Sequence, residues 1–256
     1  MKTAQNSKPT IKLTNGVEWI NECYSIGEQH MHVSIYLIRA GDKNIVVDSG
    51  SFYHRESIKA RLNEATGTQG VGALILSHAD YDHGGNVAPL QDEWGDMEII
   101  ASSGLPAVLG LPPNVTTSVI GESMEVLGRR FSFIDPPLAD RSHTAWIYDH
   151  ESRVLFTADG FGNHHSAGMC DLISSDIPEG IASDDIYDFH RETLVFLRYF
   201  NPAKLRSTLE SLFDTYDIAY IAPVHGNPIA PENLDAYLDQ LNESVTRISE
   251  EYTVPK

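Results

Sequence analysis

Short apolar runs that stop at polar or glycine residues recur along the chain, and they set its predicted elements. Residues 17–26 (VEWINECYSI), 33–39 (VSIYLIR) and 43–48 (KNIVVD) read as strands, the last two joined by a hairpin turn at Ala40-Gly41-Asp42. A helical segment around 54–65 leads into the buried strand 72–76 (GALIL), and 97–101 (MEIIA) is a further strand. Gly, Pro and Ser crowd residues 103–121, which predicts irregular turns with one short helix. Strands follow at 129–134 (RRFSFI), 143–149 (HTAWIYD) and 153–157 (VLFTA), the last two connected through His150-Glu151-Ser152. The final third is helical around one strand. An aromatic-rich helix covers 184–200, and a second over 202–215 starts at Pro202 and repeats Leu205, Leu209, Leu212 and Phe213 on one face. After strand 218–222 (IAYIA), Leu234, Tyr237, Leu238, Leu241, Val245 and Ile248 recur at helical spacing and form a core-facing stripe. Without repeats, low-complexity tracts or an evident linker, residues 1–256 read as a single α/β domain.

Chemistry collects where these strands end. The strand 72–76 runs directly into Ser77-His78-Ala79-Asp80-Tyr81-Asp82-His83-Gly84-Gly85-Asn86, four metal-ligand types within six residues. In an extended or tightly turning segment, positions two apart face the same way, so His78, Asp80 and Asp82 converge. His83 serves a second centre only if the backbone turns there. Gly84 and Gly85 admit unusual angles and a close passage past whatever the ligands hold. Three more candidates stand at strand ends: His143 opens one strand, Asp159 lies just past the next, and His225 follows 218–222. Gathered at one end of a fold, His78, Asp80, Asp82, His83, His143, Asp159 and His225 make four imidazoles and three carboxylates, a set for two metal ions. Asp159 is the natural bridge, with His78, Asp80 and His143 on one ion and Asp82, His83 and His225 on the other. Asp48 closes strand 43–48 and reads as an orienting partner of a ligand histidine, as a catalytic group, or as a turn former before Ser49-Gly50. His30 and His32 have no acidic companion and read as edge or surface residues.

Composition narrows the partners. With 36 acidic against 18 basic residues, the net charge of -18 argues against nucleic acids and anionic membrane surfaces, which reward clustered Lys and Arg. The hydrophobic share of 41%, with 9% aromatic, is that of an ordinary soluble globule. No apolar run approaches the roughly 20 residues of a membrane span. The polar start Met1–Lys8 lacks the apolar core of a signal peptide, so a cytoplasmic protein is expected. The two cysteines, Cys23 and Cys170, are too few for a disulfide framework or a thiolate metal site and read as small, half-buried side chains.

The ligand loop together with His143, Asp159 and His225 resembles the metallo-β-lactamase superfamily, which implies a four-layer αββα sandwich. Its zinc hydrolases carry His-x-His-x-Asp-His, and Asp80 departs from that signature. A carboxylate there is similar to the flavodiiron proteins, although they usually have Glu, one methylene longer. Ser142–Tyr148, Leu155–His164 and Ile221–Gly226 are similar to the same diiron core. The resemblance spans about residues 30 to 250 and is closest to the stand-alone oxygen-binding diiron proteins, because no flavodoxin-like domain follows. It implies a pair of iron ions that bind and reduce O2 or NO, in a sensing or scavenging role. It also implies no flavin on this chain, an external electron-transfer protein as donor, and a homodimer as in relatives. The ligand chemistry points the same way: Asp80 in place of an imidazole lowers the summed charge of two divalent ions and their carboxylates from +2 to +1, favouring iron, with zinc and manganese as alternatives. The same ligands would serve a binuclear hydrolase of phosphoesters, thioesters or lactones, and the Gly-Gly after the loop also resembles competence proteins linked to nucleases. Tyr81 and His164 are within sequence reach as hydrogen-bond donors to a bound ligand, with loop packing as the alternative role of each.

Overall fold

The computed structural model describes residues 8–104, 106, 110–111 and 115–252. Seven strands form one sheet in chain order: β1 (Ile11–Thr14), β2 (Val17–Ile26), β3 (Gln29–Ala40), β4 (Lys43–Val47), β5 (Ala73–Leu76), β6 (Glu98–Ser102) and β7 (Thr116–Ser118). A second sheet contains β8 (Ser123–Val126), β9 (Arg129–Ile134), β10 (Trp146–Asp149), β11 (Val154–Phe156) and β12 (Tyr220–Ala222), in the order β12-β11-β10-β9-β8. The strands of the first sheet from β1 to β4 pair antiparallel, and those from β4 to β7 pair parallel. In the second sheet only β11 and β12 are parallel.

Period-two alternation explains the layering. Along β3, Tyr36 and Ile38 turn toward the second sheet, whereas Ile35 and Leu37 turn outward; Ile45 and Val47 against Val46 do the same on β4. Phe131, Phe133, Ile147 and Phe156 answer from the second sheet and complete a core between the two. The outer face of the first sheet packs on α1 (Arg55–Thr66) and α3 (Val87–Glu93) through Ile58, Leu62, Val87 and Leu90; α2 (Tyr81–Gly84) is the single turn between them. The outer face of the second sheet, with Trp146, Tyr148, Leu155 and Ile221, packs on α4 (Ser183–Thr193), α5 (Pro202–Thr215) and α6 (Leu234–Glu251). Helix, sheet, sheet and helix thus form the four layers expected. Among the described residues no helix is long and apolar enough to cross a membrane.

Several elements differ from the sequence reading. β3 begins at Gln29, so His30 and His32 lie inside an inner strand; His32 is fully buried, which corrects their reading as edge or surface residues. The helix expected over 184–200 stops at Thr193, and a 3-10 turn over Val195–Tyr199 follows, because the chain changes direction at Leu194 to bury both Leu194 and Leu197. Strand 143–149 starts only at Trp146, which leaves His143 in a loop with φ 68°. Within 103–121, where irregular turns with one short helix were expected, residues 105, 107–109 and 112–114 lie outside the described residues, and Thr116–Ser118 form an unforeseen edge strand. The start of the chain read for a signal peptide lies outside them as well, Lys8 excepted.

Candidate metal centre

Connectivity brings the candidate residues to one end of the sandwich. β4 and β5 run parallel, so Asp48 and Ser77-His78 leave their strands side by side. β11 and β12 are also parallel, which puts the exits carrying Asp159 and His225 together. Asp80 keeps extended angles, φ −79° and ψ 163°, and its carbonyl then accepts from the N–H groups of His83 (3.1 Å) and Gly84 (3.0 Å). The alternation inferred for this stretch therefore holds from His78 to Asp80 and gives way to a helical turn at Tyr81. That turn carries His83 inward.

Three imidazoles converge on Asp159, each fixed from behind. His78 donates Nδ1–H to the Thr144 hydroxyl at 2.6 Å, since that hydroxyl already donates to the Arg141 carbonyl. His225 donates Nδ1–H to the His32 carbonyl at 2.7 Å. His83 donates Nδ1–H to Asp48 at 3.0 Å, and Asp48 is itself held by the Ser77 N–H (2.8 Å) and hydroxyl (2.6 Å). Asp48 thus takes the orienting place described for the partner of a ligand histidine. With every Nδ1 engaged, the Nε2 atoms of His78, His83 and His225 stand 3.3, 3.0 and 3.3 Å from the Asp159 carboxylate. His78 and His83 are fully buried, and His225 and Asp159 nearly so.

The electrostatics are those of a site built for positive charge. Burial works against a charged His83, yet the Asp159 and Asp48 carboxylates on its two sides outweigh it and raise its pKa well above the usual imidazole range. Asp159 is held well below the carboxylate range, because His83 and His225 overcome the burial that would raise it. In this arrangement a protonated ring supplies the charge between two acids. Burial and the nearby His83 push His78 down to about 4, so its ring is neutral with Nε2 bare. That Nε2 lies 3.2 Å from Asp140 Oδ1, and both buried atoms lack a hydrogen-bond partner. A bare ring nitrogen facing a carboxyl that burial and Asp159 push up to about 7 is an arrangement that a proton or a cation would relieve.

Ligand atoms of His78, His83 and Asp159 lie within 4.8 Å of one another, and those of His78, Asp80 and Asp140 form a second such group. His78 belongs to both. His225 joins through Asp159. Asp80 is half-buried and clasped by Arg141, with Nε 2.8 Å and Nη2 3.2 Å from its two oxygens. Asp82 is half-buried on the helical turn, and its charge, with that of Asp159, adds to burial in pushing the Tyr24 phenol up to about 12. The structure does not bring the His143 ring into either group: the residue is exposed, and the ring packs on Gly104 closely enough that a Cβ there would stand 2.5 Å from it. Tyr81, 58% exposed, faces solvent from the start of the turn. His164 is buried beside the Phe189 ring, and Phe189 in turn lies beside His225.

Asp140, Arg141, Thr144 and Tyr24 are the site-lining residues that the sequence reading passed over. Asp140 stands three residues before His143, but in a loop with no strand-exit pattern to single it out. Tyr24 occupies an ordinary strand position on β2.

Comparison with known proteins agrees with this geometry. The model of the family described as ODP family beta lactamase matches residues 31–226. The coenzyme F420H(2) oxidase of Methanocaldococcus jannaschii is 22% identical over 232 residues, 84% of this chain and 56% of that protein. The anaerobic nitric oxide reductase flavorubredoxin of Vibrio vulnificus is 20% identical over 85% of this chain and 46% of its own length. The chain therefore spans about half the length of these relatives. The crystal structure of the flavodiiron protein from Giardia intestinalis superposes with a TM-score of 0.75 at 15% identity, covering 93% of this chain and 59% of that one. With its family model spanning three quarters of the sequence and its four layers matching a flavodiiron core, the chain belongs to the ODP family of beta lactamases.

Proposed function

We propose that this chain holds two iron ions and uses them to bind and reduce O2 or NO, drawing electrons from a separate protein. The observation that carries the reading is the ring of three Nε2 atoms around one buried carboxylate, each imidazole already anchored through Nδ1. Asp159 would bridge the pair, with His78, Asp80 and His143 on one ion and Asp82, His83 and His225 on the other. Asp140 is a further oxygen donor beside Asp80, and the assignment of His143 requires its ring to turn from Gly104. Zinc or manganese would fit the same mixed N/O donors, but four imidazoles among carboxylates suit iron redox chemistry well.

Such a metal pair, when bound, supplies electrons and open coordination positions for a diatomic gas. The residues of the chain do the rest. Asp48, Thr144 and the His32 carbonyl fix the tautomers of His83, His78 and His225, so that the lone pairs needed for ligation face inward. Burial, then the charges of Asp82 and Asp159, keep the Tyr24 phenol protonated, so it can only offer a hydrogen bond and not give up its proton. Relatives named as an F420H(2) oxidase and a nitric oxide reductase support the class of reaction.

Anaerobic reconstitution with ferrous iron tests the reading. Two irons per chain, a visible charge-transfer band on exposure to air, and oxygen consumption on adding a reduced electron-transfer protein are the expected results. A protein that stays colourless with iron, and with zinc instead cleaves phosphoesters or thioesters, would make it a hydrolase.

A further inference from the structure

A second group of ligand types lies away from Asp159. Cys23 on β2, His30 on β3, and His165 and Cys170 from the segment after Asp159 offer two sulfurs and two ring nitrogens, all within 4.8 Å of one another. The two cysteines, too few in the sequence for a thiolate site of their own, are joined here by two histidines from distant positions.

The four residues are held by their backbones, and the side chains of Cys23, His30 and Cys170 also contact one another. His30 and His165 exchange N–H···O bonds of 2.7 and 3.0 Å in an isolated antiparallel bridge. The Cys170 carbonyl accepts from the Asn21 amide and, at 2.9 Å, from His32 Nε2–H. The His165 side chain, by contrast, is unsatisfied. His165 is 1% exposed and stacks on His32 at 3.8 Å, and neither of its ring nitrogens has a hydrogen-bond partner. An imidazole buried with both nitrogens unmet is costly, and an occupant of the cluster would relieve that cost.

The donor set and its spacing, close to that of a tetrahedral site, point to a metal ion as the occupant. In a tetrahedral site with metal–sulfur bonds of about 2.3 Å and metal–nitrogen bonds of about 2.0–2.1 Å, neighbouring ligand atoms lie roughly 3.3–3.8 Å apart. Cys23 and Cys170 sulfurs are 3.2 Å apart, and His30 Nδ1 is 3.6 and 3.4 Å from them. Both cysteines are free thiols. We propose that Cys23, His30, His165 and Cys170 form a mononuclear site for a thiophilic divalent cation, zinc by its Cys2His2 donor set. The ion would tie the segment that follows Asp159 to the β2–β3 hairpin. Because the His32 carbonyl, on the same strand as His30, fixes His225, the tie would also steady the main centre without sharing a ligand with it.

Cobalt separates this site from the other, because only a sulfur ligand gives thiolate-to-cobalt charge-transfer absorption in the near ultraviolet. Reduced full-length protein titrated with Co2+ under nitrogen should develop that band. Cys23→Ser and Cys170→Ser should each lose the band and one equivalent of metal per chain, and Asp159→Ala should keep the band. In the unmodified protein, one equivalent of Zn2+ should slow alkylation of both thiols, so the result does not depend on how the variants fold. Cobalt uptake without the sulfur band, alkylation rates indifferent to zinc, or oxidation to a Cys23–Cys170 disulfide at the same rate with and without zinc would each overturn the proposal.

Discussion

At the scale of single residues, the polar side chains that gather at one end of the sandwich were legible where each breaks a hydrophobic run at a strand exit. His78, His83, Asp159 and His225 all have that signature. Asp140 has none: it becomes visible only when its Oδ1 is found facing the His78 ring in a buried space. His143 shows the opposite case, a residue with the right spacing whose left-handed backbone, φ 68°, sends its ring to Gly104. Asp48 also has positive φ, 58°, a conformation that Asp and Asn tolerate better than most residues. Asp48→Asn therefore keeps the backbone and removes the charge behind His83. The expected outcome is a metal affinity about 10- to 100-fold weaker with the fold retained, measured by competition with a chelator and by circular dichroism. An affinity equal to that of the unmodified chain would mean that His83 needs no carboxylate to orient it.

At the scale of elements, the strands with apolar positions on both faces read almost to the residue: 17–26, 129–134 and the helix 202–215 match their predicted limits. The short pieces did not. β1, β8 and the helix Val87–Glu93 are too brief or too polar to show a period, and their register comes from the neighbours they pair with or cover. The turn Tyr81–Gly84 is the clearest case, since a motif of alternating ligands conceals a backbone that changes from extended to helical in its middle. Gly85 matters there for space and not for angle: φ −62° and ψ −22° suit any residue. A Cβ at that position would lie 2.6 Å from the Tyr81 carbonyl oxygen, 2.7 Å from the Phe52 nitrogen and 3.0 Å from the Gly50 carbonyl oxygen, all main-chain atoms that cannot swing aside. Gly85→Ala should destabilise the protein by about 1–3 kcal/mol, the usual cost of forcing extra volume into a packed site, and should lower metal content by displacing Asp82 and His83. Chemical denaturation with metal analysis checks both effects, and an unchanged midpoint with full metal content would show that the turn yields freely.

At the scale of the whole molecule, two parallel strand pairs, one in each sheet, aim their exits at the same end, and a dense set of acids and imidazoles is buried there. The consequence for stability can be worked out by sign. His83 has a folded pKa above its unfolded value of 6.5, so its contribution to the metal-free fold is complete below 6.5 and is lost as the pH rises through the folded value. Asp159 is depressed below its unfolded 3.8, so its contribution is complete above 3.8 and is lost as the pH falls. Asp140, raised by burial and then by Asp159 and Asp80 to about 7, adds a penalty that grows from 3.8 and levels off near 7. Together these three groups place their combined maximum near pH 4, with a decline on the alkaline side that Asp140 begins and His83 continues. Metal ligation reverses that decline, because a cation needs the His83 Nε2 and the Asp140 carboxylate free of protons. The gain in melting temperature on adding ferrous iron under nitrogen should therefore rise steadily from pH 5 to pH 8, as the protons that the cation must displace become less firmly held. Thermal unfolding followed across that range, with and without iron, measures it directly; a gain that is flat or largest at pH 5 would mean that the buried ring between Asp48 and Asp159 does not surrender its proton to a metal.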